Sequence, residues 1–375
     1  NGVGVCGIAG GSGRGDGVKI MSCEILGKSE SGSSGAGLAG QIRAIKYAAD
    51  NGAVICQNSW GYTAGTISVT DWTRGSYSAL SRAMEYFNKY AGLDENGNQT
   101  GPMAGGIVLF AAGNDASSEV CYPAADANAI SVGATAFTGA PAYYTNYGPG
   151  CNIAAPGGDA YQSYLENINT GASEVLSTVN GGKYGYMQGT SMACPHVSGV
   201  AALGLSYALE KGKKFTLDEF KTMILTSVND METYLDGSKT GLVLADYRKK
   251  MGTGSIDAYQ LLMQVEGTPC LRAKVGTKQL VALTKYFGGS ASNLTYLRVE
   301  MTRENMDKLG ITEAPSISYG KLMIHCTKPG VAKISVTAIA GGGSVGGGSS
   351  MGGQEITKEF AVIARATENA NGGWL

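Results

Sequence analysis

The sequence predicts an α/β protein built on a parallel sheet, followed by a small all-β sandwich. Three observations carry that expectation. The runs Gly106–Ala112 and Ala129–Val132 are continuously apolar, the pattern of strands buried on both faces. Apolar residues recur at helical spacing at Leu38, Ile42, Ile45 and Ala49, and again at Leu80, Met84, Phe87 and Ala91. After Gly267-Thr268-Pro269 the pattern changes to short runs that alternate apolar and polar.

Taken in order, Val18–Ile25 is strand-like and Ala53–Gln57 is a short β-rich run. Met192–Leu209 is a long apolar segment that opens at Ser191. A serine placed there sits at a helix N-terminus, where open N–H groups and the positive dipole end stabilise negative charge. Strands alternating with helices through residue 265 imply a parallel sheet covered on both faces. Sites in such sheets lie beyond the carboxyl ends of the strands. Asn58-Ser59-Trp60-Gly61 and Gly113-Asn114-Asp115 fall there. Further on, Gln279–Leu283, Leu294–Val299, Lys321–His325, Ala332–Ala338 and Phe360–Ile363 read as strands of a sandwich. Gly341–Gly353 is Gly/Ser-rich and reads as a flexible loop between two strands. The expected domains are therefore 1–267 and 268–375.

The 375 residues leave room for two domains and a sizeable core. A net charge of −1 with 16% charged residues favours neither nucleic acid nor an anionic membrane surface. No transmembrane segment is expected, because no apolar run looks long enough to span a bilayer. The first residue is Asn and no leader precedes it, so an N-terminal portion is expected to have been removed. Eight cysteines without CxxC spacing argue against a zinc cage. An even count permits disulfides, and Cys270 with Cys326 is the one pair available in the C-terminal region.

Acyl transfer by serine needs a nucleophile, a base, a group that orients the base, and donors for the oxyanion. Gly189-Thr190-Ser191-Met192-Ala193-Cys194-Pro195-His196-Val197 closely resembles the serine motif of subtilisin-like serine peptidases, the subtilases. Val108-Leu109-Phe110-Ala111-Ala112-Gly113-Asn114-Asp115 resembles the family's strand that ends in an Asn lending its amide to the oxyanion. The resemblance implies that Ser191 is the nucleophile and that Asn114 and the Ser191 N–H form the oxyanion hole. It also implies a subtilisin-like three-layer fold. Asn58-Ser59-Trp60-Gly61 is similar to the family's substrate-binding strand, which pairs with an extended peptide by β-augmentation. Ser59, Trp60 and Gly61, with Ala111, Ala112, Gly113 and the stretch before Tyr122-Pro123-Ala124, match the walls of its S1 pocket. Cys121 matches the floor and hints at a medium-sized apolar P1 side chain. Asn1–Ala9 resembles the loop in which many members bind structural calcium, with Asn1, Val3 and Val5 as the implied ligands. Gly254-Ser255-Ile256-Asp257-Ala258 is similar to the family's final helix. Leu283–Gly289 and Asn371–Leu375 resemble immunoglobulin- or cadherin-like modules of Bacteroidetes-type surface proteins.

The base is missing. The chain has two histidines. His196 follows Ser191 by five residues, so on a helix its ring points away, as a buried structural histidine. His325 reads as a strand residue. The family orders its triad Asp, His, Ser, and no Asp or His motif precedes Ser191. Three explanations stay open: a nicked two-chain enzyme, a truncated chain, and a degenerate relative that binds peptides. The resemblance implies a secreted or surface-attached bacterial serine endopeptidase acting on peptide or protein substrates. A non-covalently bound N-terminal fragment would then carry its Asp and His. The alternative is an inactive peptide-binding or adhesion protein. Arg14-Gly15-Asp16, the glycine run at 10–13 and the Asp94-Asn96-Asn98 turn read as solvated loops, and Asp115 as structural or subsite-lining.

Overall fold

The computed structural model describes residues 5–27, 37–161, 173–229, 231, 234–237, 239, 242–267, 270–287, 294–328, 330–340, 343–345, 349–351 and 353–365. The first part runs α1 (Gly37–Asp50), β1 (Ile55–Asn58), α2 (Val69–Thr73), α3 (Ser78–Tyr90), β2 (Met103–Ala104), β3 (Ile107–Ala111), β4 (Ala129–Thr135) and β5 (Ile153–Pro156). It continues through the hairpin β6 (Val175–Val179) and β7 (Lys183–Met187), then α4 (Thr190–Glu210), β8 (Phe215–Thr216), α5 (Leu217–Thr226), β9 (Val228–Asn229), β10 (Ser255–Ile256) and α6 (Ala258–Glu266).

One six-stranded sheet organises this part, in the order β1-β3-β4-β5-β10-β9. It is parallel from β1 to β10, and β9 closes it antiparallel. Strands β3 and β4 are buried along their whole length, as their continuous apolar runs require. Successive side chains of β3 point to opposite faces. Val108 and Phe110 join Ile45, Leu80, Met84 and Phe87 of α1 and α3. Ile107, Leu109 and Ala111 join Val197 and Ala201 of α4, Phe220 of α5 and Leu261 of α6. Each large side chain buried in this way contributes roughly 1.5–3 kcal/mol. The result is three layers: helices, sheet, helices.

Helix α4 is the spine of the second layer, packed against β1, β3, β4 and β5. Its length and composition alone would let it cross a membrane, but nearly half of its apolar window is buried inside the protein, as in a core helix. Gly204 lets α6 approach, since a Cβ there would stand 2.7 Å from Leu261 Cδ2. Helix α5 opens with a capping box: Glu219 N–H donates to the Thr216 hydroxyl, and the Glu219 carboxylate accepts from Thr216 N–H.

The second part contains β11 (Cys270–Lys274), β12 (Lys278–Ala282), β13 (Leu294–Glu300), α7 (Arg303–Leu309), β14 (Ser316–Ser318), β15 (Lys321–His325), β16 (Gly330–Ala340), β17 (Gly343–Val345), β18 (Ser349–Met351) and β19 (Gln354–Arg365). They form a four-stranded sheet, β11-β19-β16-β13, and a three-stranded sheet, β12-β15-β14. Phe287, Leu322, Ile334, Val336 and Phe360 lie in one apolar cluster, which runs on into that of α4, α5 and α6. Strand β19 packs on α5. Its buried Gln354 donates to Ala127 O at 3.1 Å and Ala129 O at 2.6 Å, and Lys358 donates to Tyr286 O at 3.1 Å and contacts Gln264 Oε1.

Three expectations are corrected. Val18–Ile25 is not a strand: a strand needs a ladder partner, and among the described residues this stretch has none, leaving Ile20 91% exposed. Within Gly341–Gly353, residues 343–345 pair with 349–351 as a short ladder rather than a free loop. Cys326 is a buried free thiol, so it is not bridged to Cys270. Asp94 accepts from Asn96 N and Asn98 N, which makes its loop a self-satisfied turn.

Candidate active site

The carboxyl ends of β1 and β3 and the N-terminus of α4 converge. Strand β1 delivers Ser59, Trp60 and Gly61; β3 delivers Ala112, Gly113 and Asn114; α4 delivers Ser191 in its first turn. Gly189 precedes that turn with φ 144°, a conformation that favours glycine.

Ser191 is half-buried, and its hydroxyl lies 3.4 Å from Ser59 O. Its own N–H has no hydrogen bond among the described residues. Asn114 is exposed, and its amide is oriented from one side only. Thr190 N and Thr190 Oγ1 each donate to Asn114 Oδ1 at 2.9 Å, while Thr190 Oγ1 accepts from Gly113 N at 3.2 Å. With Oδ1 filled by two donors, Nδ2 is the end that faces outward. Among the described residues it donates to nothing. Two unpartnered donors therefore stand beside a serine hydroxyl at a helix N-terminus. That arrangement can stabilise an oxyanion formed at a carbonyl attacked by Ser191.

The walls are fixed by polar and aromatic contacts. Asn58 is buried, and its amide donates to Leu109 O at 3.2 Å. Trp60 Nε1 donates to Asn58 Oδ1 at 3.1 Å, and the ring meets Phe110 edge-on with centroids 5.1 Å apart. The Trp60 ring thus belongs to the core. Cys121 is buried, donates to Tyr62 O at 3.0 Å, and lies 3.8 Å from a Cβ built on Gly61 and 3.1 Å from one built on Gly113. Burial pushes its thiol up to about 11, with the negative charge of Asp115 adding to the rise. At neutral pH it is an uncharged, small, soft surface.

His196 Nδ1 lies 2.8 Å from Met192 O, so its ring is tied to the helix backbone one turn back. His325 ends β15, opposite Lys278 in the second part. Of the three implied calcium ligands, Asn1 and Val3 lie outside the described residues and Val5 is exposed. No group of three or more His, Cys, Asp or Glu side chains that could hold a metal occurs among the described residues.

Sequence reasoning gave no role to Thr190, Tyr144 or Asn146. Thr190 lay inside the quoted motif but carried no signal beyond small size. Tyr144 and Asn146 lie in a turn between β4 and β5, where neither periodicity nor a chemical motif marks them. Only the folded structure brings them to Gly189 and Gly113.

A family model described as the subtilase family matches residues 2–253. Alkaline elastase YaB of Bacillus sp. (strain YaB) is 33% identical over 203 residues, 54% of this chain and 40% of its own length. Subtilisin Savinase of Lederbergia lenta is 30% identical over 203 residues, 54% of this chain and 57% of its own. The extracellular basic protease of Dichelobacter nodosus is 38% identical over 145 residues, 38% and 23% of the two lengths. The chain spans less than two thirds of each. Among solved structures, a lanthipeptide protease aligns with TM-score 0.46 and 23% identity, covering 64% of this chain and 68% of the other. The family match covers most of the α/β part, and the parallel sheet with helices on both faces agrees with it. The chain belongs to the subtilase family of serine proteases and has the subtilisin-like α/β fold.

Proposed function

We propose that this chain carries the nucleophile and oxyanion donors of a secreted serine endopeptidase. Its base and the carboxylate that orients the base would sit on a separate amino-terminal piece. The observation that carries this reading is the locked Asn114 amide beside Ser191, with Asn114 Nδ2 and Ser191 N–H both without a partner among the described residues. In the reaction Ser191 Oγ bonds to the scissile carbonyl carbon, and the C=O electron pair moves onto oxygen. Asn114 Nδ2 and Ser191 N–H receive that charge. The Oγ proton goes to a base; as the oxyanion collapses, the C–N bond breaks and the leaving amine takes that proton, after which water, deprotonated by the same base, releases the acyl group from Ser191. Neither histidine of this chain is placed to take it, so the base comes from the partner piece.

Two features support such a partner. Among the described residues β1 pairs on one edge only, with β3. The adjoining arm, Val18–Leu26, exposes Val18, Ile20, Met21 and Leu26, while Cys23 and Cys56 of β1 pack against the same core cluster. An inserted strand would pair with β1 and cover these side chains. We assign the substrate as an extended peptide laid along Ser59–Gly61, with a medium-sized apolar P1 side chain over Cys121. Secretion is supported by relatives that are named extracellular. The β-rich part from residue 268 onward is proposed as an accessory domain of immunoglobulin-like type. Calcium is proposed only as a structural ion on backbone oxygens near Val5, a donor type it accepts, and no reaction step runs through it.

The test is intact mass spectrometry of the chain together with its amino-terminal piece, with a fluorophosphonate probe. The expected result is one probe mass on the Ser191 peptide, lost in Ser191→Ala. A folded two-piece protein without label would leave the peptide-binding reading in its place.

A further inference from the structure

Tyr144 and Asn146 touch neither half of the oxyanion pair directly, yet each is bonded to its neighbours. Asn146 is buried and uses its whole side chain. Oδ1 accepts from Asp115 N at 2.9 Å and Ser117 N at 3.2 Å. Nδ2 donates to Ala112 O at 3.0 Å and to Asp115 Oδ2 at 3.0 Å. Its backbone N–H donates to Gly113 O at 3.0 Å. These partners bracket Asn114 on both sides. Gly113 has φ 104°, and a Cβ there would stand 2.3 Å from Asn146 Nδ2. The close approach of this amide is therefore one reason position 113 is glycine.

Tyr144 serves the other half. Its buried hydroxyl accepts from Gly189 N at 2.8 Å and donates to Gly158 O at 2.6 Å, with Gly157 O at 2.9 Å. Gly189 is the N-cap of α4, two residues before Ser191. Backbone bonds lace the same stretch onto the oxyanion loop, from Ala116 N to Tyr144 O at 2.9 Å and from Tyr147 N to Ser117 O at 3.0 Å.

We propose that Asn146 and Tyr144 are positioning residues that together set the spacing between the Asn114 amide and the Ser191 turn. The inference rests on the peptidase reading above. Thr190 fixes the Asn114 amide at Oδ1, but Asn114 is exposed, so the position of its backbone depends on the residues that hold its neighbours. A donor works only at about 2.7–3.1 Å from the developing oxyanion, and an error of about 1 Å costs on the order of 10²-fold in rate. One short stretch that grips both turns keeps their separation constant when either is loaded by substrate.

The test uses the chain with its amino-terminal piece and a peptide substrate. Asn146→Ala, Asn146→Leu and Tyr144→Phe are each made with Asn114 present and with Asn114→Ala. Asn146→Ala is expected to lower kcat by about tenfold or more with KM within about twofold. That loss should shrink to less than about threefold once Asn114 is gone, because Asn146 acts through it. Tyr144→Phe keeps the ring, and its loss of kcat should persist without Asn114. Folded variants with wild-type kcat, or an equal loss for Asn146→Ala in both backgrounds, would overturn the proposal. If Asn146→Ala does not fold, the near-isosteric Asn146→Leu, which neither donates nor accepts and leaves no cavity, decides by the same criteria. Wild-type turnover separates the two readings. An active wild type with indifferent variants sinks the positioning role alone. A wild type with neither turnover nor label at Ser191 overturns both.

Discussion

The hydroxyl of Ser59 donates to the carbonyl oxygen of Ser191 across 2.7 Å. In an unbroken helix that carbonyl would take the N–H of residue 195, which is proline and has none. Ser59 supplies the missing donor and so ties β1 to the first turn of α4. Gln57 Nε2 in turn donates to the Ser59 hydroxyl at 2.7 Å. Ser59→Ala should cost about 1–2 kcal/mol of stability. In Pro195→Ala, which restores the helical donor, that cost should fall close to zero. Urea unfolding of the four proteins measures it, and an equal cost in both backgrounds would refute the substitution of one donor for the other.

Asn114→Ala should lower kcat by roughly 10²–10³ with little change in KM, a magnitude taken from a subtilisin rather than derived from this geometry. Thr190→Val keeps the shape of the side chain but removes the hydroxyl that bonds both Asn114 Oδ1 and Gly113 N. Its kcat should fall by about tenfold, because the amide loses one of two anchors. Steady-state kinetics of the chain together with the amino-terminal piece proposed above checks both, and a Thr190→Val variant with unchanged kcat would show that the helix N–H alone orients Asn114.

Gly113→Ala combines two penalties. Its backbone sits at φ 104°, and its new Cβ would meet the Asn146 amide. We expect a loss of about 1–3 kcal/mol in stability together with loss of activity. Gly97→Ala is the control, since Gly97 also has positive φ but open space around a Cβ. It should show the backbone cost without the loss of activity.

Burial pushes the Lys358 ammonium down from 10.5 to about 8. Between those two values the unfolded chain holds a proton that the folded chain has released. Stability therefore rises with pH across the window, by up to about 3 kcal/mol. Lys358→Met lacks this slope. Guanidinium unfolding of both proteins at pH 7 and pH 10 reads the difference, and parallel pH dependences would rule out a strained charge at this position.

Much of this was legible in the chain. The continuous runs of β3 and β4 and the 3.6-residue periodicity of α1 and α3 announced a parallel sheet between helices. Ser191 and Asn114 stand out through motifs in which chemistry dictates residue type, and the fold brings the two together through Thr190. The strand expected at Val18–Ile25 failed because β-propensity describes a surface that fits a neighbour, and no described neighbour is there. Helix α7 was missed inside an alternating region, although Thr302 caps its start and Gly310, at φ 63°, closes it. The capping box of α5 was equally readable and went unread. Tyr144 and Asn146 were not readable, because their importance is the distance from residue 146 to residue 113 in space.

Helix α4 touches four strands of the main sheet, so its first turn can loosen only when much of that sheet opens. Hydrogen exchange along its interior should run on the slowest clock in the molecule. Ser191, anchored in that turn, is held by the slowest-opening part of the fold. The hairpin of β6 and β7 stands at the other extreme, with most of its side chains exposed and free to move without disturbing the sheet.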